Sequence, residues 1–445
     1  MPEPFPSDFV WGAATSAYQI EGAVREGGRG ESIWDRFAQV PGAIEDGSSG
    51  DPACDHYHRF GQDVQLMADL GLGAYSFSVA WPRVLPRGRG AVNNAGLDYY
   101  SRLVDALLAA GITPHLKLYH WDLPQALQGW GGWDNRDTAK AFADYTEAVA
   151  RRLGDRVSHW TTHVEPWCVA FLGHYFGIHA PGIRDLDTAL QATHHLLLSH
   201  GWGVQVLRDW LPVEVQVGIG LNFEPTYPAR DREADLAAAR RYDGFFQRWF
   251  LDPLAGRGYP EEMWDLYGPA VPEMEPEDLD VVAQRIDFLG VNYYNSATVA
   301  DDPGAEPLRV RRVPNPDRER TADREISPEG LNDILMRLYQ EYEFPAFYIT
   351  ENGAAFEERP SGDGAVHDEG RCRFLQAHIA QAARALEQGV PLRGYFCWSL
   401  LDNFEWSKGY TIRYGITYVD YATQTRTLKD SALWYRDFIQ GVAPL

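Results

Sequence analysis

Apolar residues recur along the chain in two alternating patterns. Short runs rich in β-branched and aromatic residues cover 9–17, 74–81, 113–121, 160–165, 215–223, 287–294, 346–351 and 392–400, and each predicts a buried strand. Between them lie longer segments with apolar positions three and four apart. DYYSRLVDALLAAG, AKAFADYTEAVARRLG and FLQAHIAQAARALEQG are examples, each closing on the glycine that a helix C-terminus favours. Eight β-then-α units predict an α/β fold, a (β/α)8 barrel, and no linker, repeat or low-complexity tract divides it. Residues 1–445 therefore read as a single domain. Two stretches carry neither period, 41–55 and 301–327. Each follows a strand, so each is expected over the C-terminal face of the barrel as the rim of a pocket.

Polar residues gather where the strands end. Gln19 follows the first run, His120 closes the third, Glu165 the fourth, Asn292 and Tyr294 the sixth, Glu351 the seventh and Trp398 the eighth. Barrels of this kind collect their catalytic groups at that end. Glu165 stands between the run WTTHV and a proline. An isolated Glu-Pro reads as a solvated turn. At the mouth of a buried strand, however, loss of solvation favours the proton-bearing form that an acid catalyst needs. Strands four and seven can aim Glu165 and Glu351 into one mouth, and two carboxylates facing one cavity suit glycoside hydrolysis.

Charge and composition narrow the partners. Sixty-three acidic against 40 basic residues give a net charge of −23, which repels phosphate backbones and anionic lipid and argues against a nucleic-acid partner. No run of about 18 apolar residues predicts a membrane span. The start MPEPFPSDFVWG lacks the basic-then-apolar order of a secretory signal, so a cytoplasmic location is expected. Cys54, Cys168, Cys372 and Cys397 are scattered without a Cys-x-x-Cys pair, which predicts free thiols and no zinc ribbon. His174 with His179, and His194 with His195, lack the HExxH frame of a metal site and read as structural. REGGRG lacks the preceding strand of a phosphate loop and reads as a turn. Aromatic residues stand beside carboxylates in HWDLP, WGGWD and DNFEW. That pairing suits sugar C–H faces and hydroxyls as well as it suits an ordinary core.

Five motifs carry a resemblance. FVWGAATSAYQIEGA (9–23), LYHWDLPQAL (118–127), GVNYYN (290–295), YITENG (348–353) and WSLLDNFEW (398–406) resemble, in order and over essentially the whole chain, glycoside hydrolase family 1. That family contains retaining β-glucosidases and β-galactosidases. The resemblance implies Glu351 as nucleophile and Glu165 as acid, then base, in a pair about 5 to 5.5 Å apart. It implies that Gln19, His120 and Glu405 hold the glycone hydroxyls, Trp398 stacks on the sugar, Trp406 makes a further hydroxyl contact, and Tyr294 bonds the nucleophile beside Asn292. It implies no metal and no organic cofactor. The substrate it implies is a β-glucoside, with β-galactoside or β-fucoside as further glycones. Glu405 would repel a 6-phosphosugar, and glutamate at 165 argues against a thioglucosidase.

Three positions depart from the family pattern. Val164 stands where the motif Asn-Glu-Pro has the asparagine that bonds the sugar 2-hydroxyl. Ser76 stands where Tyr-Arg-Phe-Ser has the arginine that pairs with the nucleophile, and Tyr414 where phenylalanine is common. Retention of both carboxylates with loss of two neighbouring groups points to a glycosidase weakened in hydrolysis and shifted toward transglycosylation. The alternative is a non-catalytic sugar-binding protein that kept the pocket. Retention of Glu165 and Glu351 opposes it, since binding alone needs neither.

Overall fold

The computed structural model describes residues 5–445, so the first four residues of the MPEPFP start lie outside it. Eight parallel strands close into a barrel: β1 (Val10–Ala14), β2 (Ala74–Ser78), β3 (Thr113–Tyr119), β4 (His159–Val164), β5 (Gln216–Phe223), β6 (Phe288–Tyr293), β7 (Phe347–Asn352) and β8 (Leu392–Trp398). They pair in chain order, and β8 closes the ring on β1 with Val10 opposite Gly394 and Ala14 opposite Trp398. All eight expected strands form. Several end short of the sequence pattern because the chain turns away at the C-terminal mouth. Residues 79–81 lead into the helix Trp81–Val84, with Pro82 in its first turn, and Trp121 leaves β3 at φ +77°.

The inward faces follow the strand period of two. At the base, His115 stacks on His159 with centroids 4.1 Å apart, and Phe396 lies 4.9 Å from His115. Phe288 meets Tyr348 at 5.2 Å and completes an aromatic plug. Gly12 makes room for it, since a Cβ there would stand 2.6 Å from the Phe396 ring. One step up β2, β3, β4 and β7 the inward residues are Ser76, Lys117, Thr161 and Thr350, so polar groups appear toward the mouth.

An outer ring of helices covers the barrel, including Asn94–Ala109, Arg136–Leu153, Leu186–Trp210, Glu329–Glu341 and Glu369–Glu387. Of the three helix-closing glycines, Gly111 and Gly389 adopt the expected left-handed φ of +75° and +92°. Gly154 stays right-handed, with its N–H on the Ala150 carbonyl.

The rim differs from expectation in two places. The stretch 301–327 is not wholly irregular: Val310–Arg312 pairs antiparallel with Ala297–Asp301, which pairs with Thr226–Pro228 in a small sheet above the barrel. The stretch 41–55 is irregular but borders no part of the main cavity. Its Glu45 N–H bonds the Ser407 carbonyl and its Asp46 carboxylate accepts from the Tyr410 N–H, so it braces the segment carrying Glu405 and Trp406 from outside.

All four cysteines are free. His194 is held by Asp278 and Tyr259, His195 by the Trp133 carbonyl and His174 by the Val169 carbonyl. Among the described residues, no group of three or more His, Cys, Asp or Glu side chains is placed to hold a metal, and no helix is long and apolar enough to cross a membrane.

Candidate active site

Glu165 is the first residue past β4. Its backbone takes a left-handed φ of +50°, with its N–H on the Gly220 carbonyl of β5. That turn swings the carboxylate over the barrel mouth, where Oε1 accepts from Asn292 Nδ2 at 2.8 Å and Oε2 from the Cys168 thiol at 3.0 Å. Thr350 donates to Asn292 Oδ1 at 2.7 Å, which fixes the amide so that its nitrogen faces Glu165.

Glu351 projects from β7 and is buried. Its Oε2 accepts from Tyr294 Oη at 2.8 Å. Its Oε1 lies 3.7 Å from Lys117 Nζ, and neither of those two atoms has a hydrogen-bond partner. Lys117 lies on β3, two residues beyond His115, the strand partner of Ser76. Ser76 is buried on β2 and brings no charge. A cation therefore does face Glu351, supplied by the neighbouring strand rather than by position 76. Burial is the largest influence on both groups, raising Glu351 and lowering Lys117, and each group's charge opposes the other's shift. Glu165 adds to the rise at Glu351, so the two carboxylates share one electrostatic environment.

The opposite wall collects the other expected residues. Gln19 Nε2 reaches Glu405 Oε2 at 3.2 Å, the Phe404 carbonyl at 3.0 Å and Asn403 Oδ1 at 2.9 Å. His120 lies near-parallel to both Trp398 and Trp406, with centroids 5.8 Å from each. Burial, then the charge of Lys117, pushes His120 well below the usual histidine range, so it is neutral. Burial, with the charge of Asp323 next, pushes Glu405 up to about 8. Tyr414 donates to Asp323 Oδ2 at 2.8 Å and stands edge-on to Tyr294. Val164 is buried, and its carbonyl accepts from Trp121 Nε1 at 2.8 Å. It belongs to neither apolar cluster of the core.

A cavity of about 530 Å³ opens from Glu165, Asn292 and Tyr294 toward solvent, between Trp167 and Phe246 on one side and residues 312–325 on the other. This is the pocket rim expected of 301–327. The family model for glycosyl hydrolase family 1 matches residues 1–442.

The chain belongs to glycosyl hydrolase family 1.

As a family 1 member it is 47% identical to β-glucosidase A of Acetivibrio thermocellus over 98% of each chain. It is 46% identical to β-glucosidase A of Thermotoga maritima, again over 98% of each. The solved structure of the family 1 β-glucosidase from Thermotoga maritima superposes with a TM-score of 0.96 and covers 99% of both chains, and that enzyme has also been solved with isofagomine lactam and with deoxynojirimycin. The chain is thus a glycoside hydrolase on a family 1 barrel.

Of the expected site residues, Glu165, Asn292 and Tyr294 line this cavity, Glu351 joins them through Tyr294, and Gln19, His120, Trp398, Glu405 and Trp406 are linked to one another by hydrogen bonds and ring stacking. Four further ones were not anticipated: Lys117, Cys168, Thr350 and Arg324, whose guanidinium lies 4.6 Å above the Tyr294 ring. Lys117 had a signal. In HLKLY it is a lone charge inside a buried strand, on the same face as His115. The other three had none, because their roles depend on contacts between elements distant in sequence.

Proposed function

We propose that this enzyme is a retaining β-glucosidase acting as one domain, with Glu351 as nucleophile and Glu165 as acid and then base. The observation that carries the reading is that β6 and the residue just past it serve both carboxylates, Asn292 bonding Glu165 and Tyr294 bonding Glu351, beside the cavity that Glu165, Asn292 and Tyr294 line. Glu351 attacks the anomeric carbon while Glu165 protonates the departing oxygen. A glycosyl ester forms on Glu351, and Glu165, now a carboxylate, takes a proton from the water that cleaves it. Gln19, His120, Glu405 and Trp406 hold the glycone hydroxyls, with Trp398 under the ring. Four free thiols accord with a cytoplasmic location.

Val164 offers the glycone an apolar surface, so the transition state lacks one hydrogen bond. Both chemical steps slow, and a sugar acceptor in the open cavity competes better with water. Incubation with a 2-deoxy-2-fluoro glucoside bearing a good leaving group should add one fluoroglucosyl mass, located in the peptide containing Glu351. An unlabelled protein would instead be the sugar-binding relic, and a label on any other residue would displace Glu351 from its role.

Lys117 supplies the charge that Ser76 does not. Removing a cation beside Glu351 disfavours its ionised form and raises its pKa. The ionised nucleophile is then lost at higher pH, so the acidic limb of kcat/KM should move upward in Lys117→Met. Ser76→Arg in the Lys117→Met background should bring the limb back. A limb that stays put in Lys117→Met would make the lysine a packing element only.

A further inference from the structure

Three arginines line the half of the cavity formed by residues 312–325: Arg312 on the small upper sheet, and Arg320 and Arg324 on the loop that follows it, Arg324 lying over the Tyr294 ring. Each is tied to a carboxylate of the same wall. Arg312 Nη2 bonds Glu224 at 2.6 Å, Arg320 Nη1 bonds Glu325 at 3.2 Å and Arg324 Nε bonds Asp323 at 3.2 Å.

The pairs are unequal in what they show to the cavity. The guanidinium side chains are 52%, 54% and 40% exposed, whereas their carboxylates are 6%, 17% and 23% exposed. The carboxylates are also occupied from behind. Glu224 accepts from Tyr242 and Asn295, Glu325 from the Asn315 N–H and Asp323 from Tyr414. Two terminal nitrogens of Arg324 and one of Arg320 have no partner among the described residues. Three cations and their three carboxylate partners thus line this side, and the more exposed member of each pair is the guanidinium, which offers N–H donors to a leaving group.

We infer that this half of the cavity receives an aglycone bearing an anionic group, such as an aryl carboxylate, held by Arg320 and Arg324. The inference rests on the β-glucosidase reading, since it names the leaving group of that reaction. A guanidinium offers a carboxylate two parallel N–H donors, and such charge-assisted bonds are stronger than neutral ones. The net charge of −23 does not oppose this, because at physiological ionic strength charges beyond about 8 Å are largely screened and the three arginines lie in the cavity wall itself.

The test compares 4-carboxyphenyl β-D-glucoside with its neutral amide, 4-carbamoylphenyl β-D-glucoside. The carboxylate should be preferred about tenfold in kcat/KM at low salt. The preference should shrink as salt is raised and fall toward one in Arg320→Gln and in Arg324→Gln. Binding of the same two glucosides to Glu351→Gln, followed by tryptophan fluorescence, should show the same order without turnover. A preference of one or less, or one that ignores both salt and the two variants, overturns the anionic aglycone while leaving the glucosidase intact. If neither glucoside is cleaved and no fluoroglucosyl label forms, the glucosidase reading falls, and the binding ratio still decides whether the arginines select the anion.

Discussion

Glu351→Ala should lose on the order of 10⁴-fold to 10⁶-fold in turnover on every glucoside, because no other group at the mouth of β7 can form the glycosyl ester. Glu165→Ala should behave differently. A leaving group acidic enough to depart without a proton should still be released at nearly full rate in the first step, and the trapped glycosyl-enzyme should then await a nucleophile. Azide is small and needs no base, so it should restore turnover and yield a β-glycosyl azide, while in Glu351→Ala it should yield the α-azide by direct displacement. Product anomers assigned by proton coupling check the roles, and an α-azide from Glu165→Ala would exchange them.

Val164→Asn should raise kcat and kcat/KM together with little change in ground-state binding, because the restored bond to the 2-hydroxyl is made mainly in the transition state. A hydrogen bond of that kind is worth about 2 to 4 kcal/mol, so the gain should be on the order of 30-fold to 1000-fold. The site can take the change. Val164 is buried at the mouth of β4 outside both apolar clusters, and asparagine is close to it in volume. On a 2-deoxyglucoside the gain should nearly vanish, and on an ordinary glucoside the ratio of transfer to hydrolysis should fall at fixed acceptor concentration. Unchanged rate and unchanged ratio would make the valine a neutral packing choice.

The barrel could be read from the sequence because strands buried on both faces leave continuous apolar runs that few other elements imitate. What the pattern overstated were the C-terminal ends. Trp81, Trp121 and Leu400 continue the apolar run but lie past the strands, Trp81 opening a short helix and the other two in the bends that build the mouth. Glu165 and Glu351 were visible as carboxylates ending such runs. Lys117 escaped because attention to strand ends passes over a charge in mid-strand, and without it the serine at 76 reads as a lost charge rather than a moved one. Arg324 lies in a stretch so rich in charge and proline that nothing in the linear order marks which arginine turns inward. Val164 was legible only through the family pattern, since a valine before a glutamate is otherwise unremarked.

Asn292 on β6 and Tyr294 just past its end stand two residues apart, and each grips a different carboxylate. The gap between Glu165 and Glu351 is therefore gauged by the end of one barrel strand, while the outer wall of the cavity is built from the 301–327 stretch above it. Stereochemical outcome and aglycone choice are then separately heritable traits. Grafting the 301–327 segment of another relative onto this barrel should alter which glucosides are cleaved and leave the anomeric configuration of the product untouched. Diversification of such enzymes can accordingly proceed by loop exchange without passing through forms that invert.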